Sequence, residues 1–493
     1  VTSVSQLSDV RPTDWAFTTL QSLVERYGCI AGYPDRTFRG QRTLSRFEFA
    51  ADLNACLDKM NEIIAAGLAD KVSTEDLVAL QRLQEEFAAE LATLRGRVDA
   101  LETRTSRLEA QQFSTATKLE GEVIMAITGA GSGTEQLFSP SDGALATSGN
   151  PGRANATVVS RVRLSFNTTF TGGDLLQTRL QVGNDGGSIG DFLDNGSGFR
   201  GFTGFGNSSR LDYGAVGNGA VVDRLRYDFS PTPDLRVSLG PIMGLNDHLD
   251  TNSFANAESE DFSIGMMINN PLILPVNEGA GAFVVWNPGG GAFTLRLGYV
   301  AAEAAFPTGD GTINRGLFGD AYQGIVELEF SPVTNGEERP FAVKLQYTRA
   351  AVDNLDYNTG GVNFEWALGK NLALFGRYGF GSLDSRGAAI ALALPSFVNG
   401  SFAGTSLNPQ TWSAGLAFPD LFQGGDLGAI ALGQPFVEGA VGNATQTNLE
   451  VFYRLPLTEN ITLTPDLQVI FNPNNNSGNN TIVVGTLRTV FSF

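Results

Sequence analysis

The stretch 158-VVSRVRLSFNTTF-170 constrains this chain more than any other feature. Successive side chains of a strand point to opposite sides. Val162, Leu164, Phe166, Thr168 and Phe170 therefore share one face, and Arg161, Arg163, Ser165 and Asn167 share the other. The same period returns in 174-DLLQTRLQVG-183, 221-VVDRLRYDFS-230, 234-DLRVSLG-240, 293-FTLRLGYV-300, 324-GIVELEF-330 and 341-FAVKLQYTR-349. It continues through 361-GVNFEWALG-369, 372-LALFGRYGFG-381, 411-TWSAGLAF-418, 448-NLEVFYRLPL-457 and 461-ITLTPDLQVIF-471, and closes on 481-TIVVGTLRTVFSF-493.

One face is greasy. The other carries Arg161, Arg163, Arg179, Arg224, Arg226, Arg236, Arg296, Lys344, Arg377, Arg454 and Arg488. In a soluble core each of these cations would cost several kcal/mol unless paired. A barrel with lipid outside and water inside removes that cost, so these eleven are the candidate pore-lining residues. Glu120, Glu122, Asp228, Glu327, Glu329, Glu365 and Glu450 alternate onto the same wall, which would then carry both signs.

Turn signals separate the strands at 171-TGGD-174, 230-SPTPD-234, 287-NPGGG-291, 369-GKN-371 and 457-LTEN-460. These short connections alternate with long ones at 184–220, 241–260 and 382–410. Short turns on one side and long loops on the other mark an up-and-down transmembrane barrel. About seventeen candidate strands can be counted, with 272-LILPV-276 and 283-FVVW-286 the doubtful ones. Bacterial barrels need an even number, and about 380 residues at roughly 24 per strand predict sixteen. The last strand is expected to pair back to 117-TKLEGEVIMAIT-128, leaving no edge unpaired in lipid. The Gly/Phe-rich loop 196-GSGFRGFTGFGN-207 is the candidate constriction.

Upstream the period changes. Residues 1–62 read as a small helical unit: Trp15, Leu20, Leu23, Val24 and Tyr27 recur at helical spacing until Gly28. Ser45 precedes a second helix, with Glu48 three residues on, the spacing of a capping box. Residues 70–112 read as a coiled coil. Leu77, Leu91 and Val98 fall at a; Leu80, Phe87, Leu94, Leu101 and Leu108 fall at d. Glu90–Arg95, Arg97–Glu102 and Arg104–Glu109 are opposite in sign from g to e. A parallel, in-register homo-oligomer needs that arrangement. The barrel takes 114–493.

The 493 residues carry a net charge of −19, with 28 arginines and five lysines. That charge argues against a nucleic-acid partner. No run of 18 apolar residues occurs, so no transmembrane helix is expected, and a barrel hides its apolar residues at every second position. The opening at Val1, without methionine or a charged-then-apolar leader, is what a mature chain lacking its targeting peptide would show. Cys29 and Cys56 fit no zinc pattern; an oxidising compartment would pair them, and a reducing one would leave two buried thiols. The only histidine, His248, sits in 246-NDHLDTNSFANAESED-261 with no serine nucleophile motif, and reads as a solvated loop residue. The acids Asp247, Asp250, Glu258, Glu260 and Asp261 lack calcium-loop spacing, leaving metal binding weakly supported. No enzyme and no cofactor are expected.

Along nearly its whole length the chain resembles a known family. The segments 7-LSDVRPTDWAF-17, 31-AGYPDRTFRG-40 and 44-LSRFEFA-50 resemble a single surface-layer homology (SLH) domain. The part after the coiled coil is similar to carbohydrate-selective porins, in 448-NLEVFYRLPLTENITLTPDLQVIFNP-473 and 488-RTVFSF-493. The three-part order resembles the major outer-membrane porins of cyanobacteria, often labelled iron uptake porins. The resemblance implies a mainly β protein: a homotrimer of 16-stranded antiparallel transmembrane β-barrels in outer-membrane lipid, joined to a trimeric coiled coil and a periplasmic α-helical SLH domain. Such a porin would pass small hydrophilic solutes and inorganic ions, iron included. Its SLH domain would hold peptidoglycan through its linked polysaccharide, using Ser45, Arg46 and Glu48 with Asp14 and Trp15; Arg46 would meet the ligand carboxylate. Trp15 and Glu48 also have plain roles in packing and capping. Phe47, Arg36 and Gly40 depart from the usual SLH pattern. A sugar-selective channel and a mainly structural tether between membrane and wall are the alternatives.

Overall fold

The alternation becomes one closed sheet. The computed structural model describes residues 3–65, 117–132, 155–186, 211–307, 315–332, 340–386 and 406–493, except positions 15, 30–31, 34, 41, 43–45, 215, 277, 320 and 353–354. The chain divides into two units, Val1–Gln112 and Phe113–Phe493.

The second unit is built from β1 (Thr117–Ser132), β2 (Thr157–Thr168), β3 (Leu175–Gly183), β4 (Val221–Thr232), β5 (Leu235–Gly244), β6 (Glu278–Trp286), β7 (Phe293–Ala301) and β8 (Tyr322–Phe330). It continues with β9 (Phe341–Val352), β10 (Leu355–Ala367), β11 (Ala373–Ser385), β12 (Ser406–Leu407), β13 (Gln410–Pro419), β14 (Leu427–Val437), β15 (Thr447–Thr458), β16 (Ile461–Phe471) and β17 (Ile482–Ser492). Neighbours pair antiparallel, and β1 closes on β17 from Glu122↔Ser492 to Ser132↔Ile482. Both β12 and β13 pair with β11, one beyond the other, across a break at Asn408 and Pro409. Proline has no N–H to give a ladder, so the two pieces form one stave. The barrel has sixteen staves, the expected number, and 272–276 is not among them while Phe283–Trp286 ends β6.

The sheet is inside out. Leu239, Leu297, Leu345, Ile430, Leu467 and Leu487 are exposed, whereas Thr348, Asn448, Gln468 and Arg488 are fully buried. Along β17, Val483 and Leu487 face out while Val484, Thr486, Arg488 and Val490 face in. Aromatic side chains gather at the strand ends, as interfacial girdles do. Phe293, Phe330 and Phe341 form a run of rings 4.9 and 5.9 Å apart near the short turns. Tyr299 and Tyr322, 6.2 Å apart, lie toward the opposite rim. Among the described residues no helix is long and apolar enough to cross a membrane.

Two of the short turns repeat one design. In 170-FTGGD-174, Asp174 accepts the backbone N–H groups of Phe170 (3.0 Å) and Thr171 (2.7 Å) and the hydroxyl of Tyr227 (2.7 Å). In 422-FQGGD-426, Asp426 accepts the N–H groups of Phe422 (3.0 Å) and Gln423 (2.9 Å) and the hydroxyl of Tyr453 (2.6 Å). Burial pushes both carboxyls up, but these donors outweigh it and hold both below the usual carboxylate range.

The first unit packs Val4, Leu7, Leu20 and Val24 against Phe17 and Phe38. Helix α1 (Phe17–Gln21) continues into a wider turn, with Tyr27 N–H donating to Ser22 C=O (3.0 Å), and stops at Gly28, whose φ of 59° suits glycine. Cys29 is bonded to Cys56 on helix α2 (Arg46–Ala65), so the pairing expected of an oxidising compartment is present. Asp35 is held down to about 2 by hydrogen bonds from Thr37 and Arg39. The heptads from Leu77 to Leu108 lie outside the described residues.

Candidate functional site: the bore and the segment that crosses it

Residues 245–276, between β5 and β6, fold into the barrel. Leu249, Phe262, Met267 and Ile273 are completely buried, and the short helix α3 (Gly265–Ile268) lies among them. The segment packs in two apolar clusters. Leu245, Leu249, Ile273, Leu274 and Val276 meet Phe283, Val300, Ile325 and Tyr357. Ala255, Phe262, Ile264 and the helix α3 residues meet Phe375, Ala429 and Phe452. Wall glycines make room: a Cβ at Gly361 would run into Ile273, one at Gly379 into Asn270, and one at Gly433 into Met266.

This is where the reading from sequence needs correction. His248 is not a solvated loop residue; its ring is half-buried and stacked on Phe283, with centroids 4.4 Å apart. Loop 196–207, the expected constriction, lies outside the described residues, and the segment observed inside the bore is the acidic one after β5. Its acids were weighed for metal and serve a different purpose. Asp247 pairs with Arg224 (2.9 Å) and Arg226, Asp250 with Arg377 (3.0 Å), Glu258 with Arg163 (2.9 Å) and Arg161, and Glu260 with Arg454 (3.5 Å). Asp261 takes the N–H groups of Asn256 and Ala257. No group of three metal-ligating side chains is assembled among the described residues.

The wall cations therefore divide. Arg161, Arg224, Arg377 and Arg488 are at most 3% exposed and Arg226 is 8% exposed, so ion pairs and hydrogen bonds rather than hydration keep them inside. Arg377 donates to Met267 C=O (2.8 Å) and Ala255 C=O (2.7 Å); Arg488 donates to Asp261 C=O (2.7 Å) and Ser263 Oγ (3.0 Å). Lys344 reaches Thr251, by its hydroxyl (2.9 Å) and its carbonyl. Arg163, Arg179, Arg236, Arg296 and Arg454 stay partly open.

Two chains of alternating charge result. One runs Arg236–Asp228–Arg226–Asp247–Arg224–Glu278, with Arg236–Asp228 at 2.9 Å and Arg224–Glu278 at 2.7 Å. The other runs Arg179–Asp223–Arg163–Glu258–Arg161–Glu122, with Arg179–Asp223 at 2.7 Å and Arg161–Glu122 at 2.8 Å. Arg296 stands between Glu327 (3.0 Å) and Glu329 (2.5 Å). The wall members of these chains and pairs lie on β1–β8, whereas most hydrophobic contacts of the crossing segment fall on β7–β15.

Residues 74–493 match the model of the carbohydrate-selective porin, OprB family, and residues 6–50 match the S-layer homology domain. The chain belongs to the OprB porin family. An uncharacterized protein of Nostoc sp. (strain PCC 7120) is 41% identical to this OprB-family porin over 528 residues, covering 100% of this chain and 85% of its own. Outer membrane protein SlpA of Deinococcus radiodurans is 41% identical over 115 residues, 22% of this chain and 9% of SlpA. The structure of Pseudomonas putida OprB superposes with a TM-score of 0.52 at 14% identity, over 80% of this chain and 97% of that one, which supports the fold alone. The porin is an outer-membrane protein with an SLH domain at its N-terminal end.

Of the SLH residues expected to bind polysaccharide, Asp14 is exposed and accepts the Arg11 N–H (2.7 Å), closing the turn before α1. Trp15 and Ser45 lie outside the described residues, as do the side chains of Arg46 and Glu48 on the first turn of α2. The crossing segment was missed because its signal is faint. The pentapeptide 272-LILPV-276, embedded in Asn- and Asp-rich sequence, was the one hint that this loop is covered.

Proposed function

We propose that this porin is a passive channel for small hydrophilic solutes and inorganic ions, iron included, that also ties the outer membrane to the wall. The supporting observation is that Arg163, Arg179, Arg236 and Arg296 stay partly open beside the carboxylates Asp223, Asp228 and Glu327 of the same wall, in a bore that the segment 245–276 enters. Opposed charges across a narrow passage orient dipolar and charged solutes while larger ones are refused. The eleven wall cations then have two roles: the open ones line the passage, and the buried ones hold the segment that narrows it. We read the chain as a channel rather than a catalyst on the family to which it belongs.

In this reading the SLH domain lies in the periplasm and binds peptidoglycan-linked polysaccharide through Asp14, Trp15, Ser45, Arg46 and Glu48. Residues 70–112 join three copies as a parallel coiled coil, which the g-to-e charge pairs favour. Purified protein in planar bilayers, with reversal potentials across a salt gradient, tests the channel. Absence of steps of current overturns it. Removing residues 1–60 separates the two roles: the truncated protein is expected to conduct normally and to lose pull-down by cell wall.

A sugar-selective pore is the second reading. The family description favours it, as do the paired Arg and carboxylate groups, which offer the planar donors and acceptors that sugar hydroxyls take. Oligosaccharide would then block ion current in proportion to its concentration. Current indifferent to sugar leaves the ion pore.

A further inference from the structure

Asp250 joins more elements than any other residue of the crossing segment. Its carboxylate accepts from Arg377 Nε on β11 (3.0 Å), Asn363 Nδ2 on β10 (2.8 Å), Gln346 Nε2 on β9 (3.0 Å) and the backbone N–H of Asn270 (2.7 Å). Its own N–H donates to Glu327 on β8 (2.9 Å), and its carbonyl takes Arg377 Nη2 (2.8 Å) and Asn363 Nδ2 (2.9 Å). Four consecutive staves and the returning limb of the segment meet at one completely buried aspartate. Its φ is 54°, in the left-handed region that aspartate tolerates better than most non-glycine residues.

We propose that Asp250 is the positioning residue that fixes the crossing segment against β8–β11 and so sets the aperture of the bore. The chemistry is specific to a carboxylate. Arg377 is almost wholly buried and, among the described residues, Asp250 is its ion partner, so removing the carboxylate leaves an uncompensated guanidinium beneath the segment. The same change frees the Asn270 amide, which holds the two limbs together. The apolar clusters remain, so the segment loosens at its middle rather than leaving the barrel. The inference rests on the channel reading.

The test compares single-channel currents of full-length wild type, Asp250→Asn and Asp250→Ala in planar bilayers. Liposome swelling with a size series of neutral sugars measures the cut-off. Each variant is expected to raise conductance by about twofold, broaden its distribution and admit larger sugars. Asn363→Ala keeps the buried ion pair and removes the contacts with Asp250 and Thr251, so it is the variant to use if the others do not fold. It is expected to give a smaller change in the same direction. Heat-modifiable migration of the barrel in detergent gels identifies folded protein. Folded variants with wild-type conductance and wild-type cut-off overturn the proposal. Wild type that forms no channel overturns the channel reading instead, a result the variants do not enter.

Discussion

The ring of Phe493 occupies the place that a Cβ on Gly121 would take. The two residues also exchange both backbone hydrogen bonds, Gly121 N–H to Phe493 C=O at 2.7 Å and Phe493 N–H to Gly121 C=O at 3.0 Å. Phe493 thus extends the β1–β17 ladder by one pair past Glu122↔Ser492. Gly121→Val is expected to displace the ring and destabilise the closed barrel by about 1–3 kcal/mol, the usual range for overpacking. Urea unfolding in detergent measures it, and a midpoint equal to wild type refutes it.

Reduction should act on one unit only. Cys29 and Cys56 are 27 residues apart, and a bridge of that span contributes about 3.5 kcal/mol in the chain-entropy model. Cys29→Ser with Cys56→Ser is expected to lower the thermal transition of the SLH unit. The barrel transition, followed by heat-modifiable migration, should not move.

The twin turns predict an acid response. A carboxyl depressed in the folded state contributes stability that is full above its unfolded value, 3.8 here, and is lost as pH falls through the folded value. Wild type should therefore lose thermal stability when taken from pH 7 to below pH 3. Asp174→Ala with Asp426→Ala should start lower at pH 7 and lose less on acidification. Parallel losses in both proteins would contradict the assignment.

Glu258 neutralises Arg163 and the buried Arg161 together. Glu258→Gln removes one negative charge at the passage and leaves both guanidinium groups under-compensated. The reversal potential in a salt gradient should shift toward anion preference. Breaking such a buried pair should also cost about 3–5 kcal/mol. An unchanged reversal potential would place the passage away from this pair.

Most strands and their inside-out polarity were legible because a period of two is strong when repeated this many times; β14 (Leu427–Val437) was not, since its run of small and apolar residues carries no charged face to mark the alternation. Arg161 and Val162 sort to opposite faces on sequence alone, and the return of the last strand to 117–128 follows once the barrel must close, whereas the register Glu122↔Ser492 comes from the structure. The fate of the wall cations was not legible. A strand pattern shows that Arg377 points inward but not that Asp250, 127 residues earlier, comes to meet it. Pairing across a bore depends on where a loop of irregular backbone folds, and no period records that. The heptads from Leu77 to Leu108 are strong in sequence and fall outside the described residues.

The chain enters the barrel at Thr117, beside the seam, where β1 is laced to β17 on one flank and β2 on the other. A pull applied at Thr117 in the direction of β1 would be carried lengthwise by that strand. Both ladders would then be loaded in shear, sharing the force among many hydrogen bonds at once instead of peeling them in turn. The stave that closes the barrel would resist such a pull through both of its ladders together.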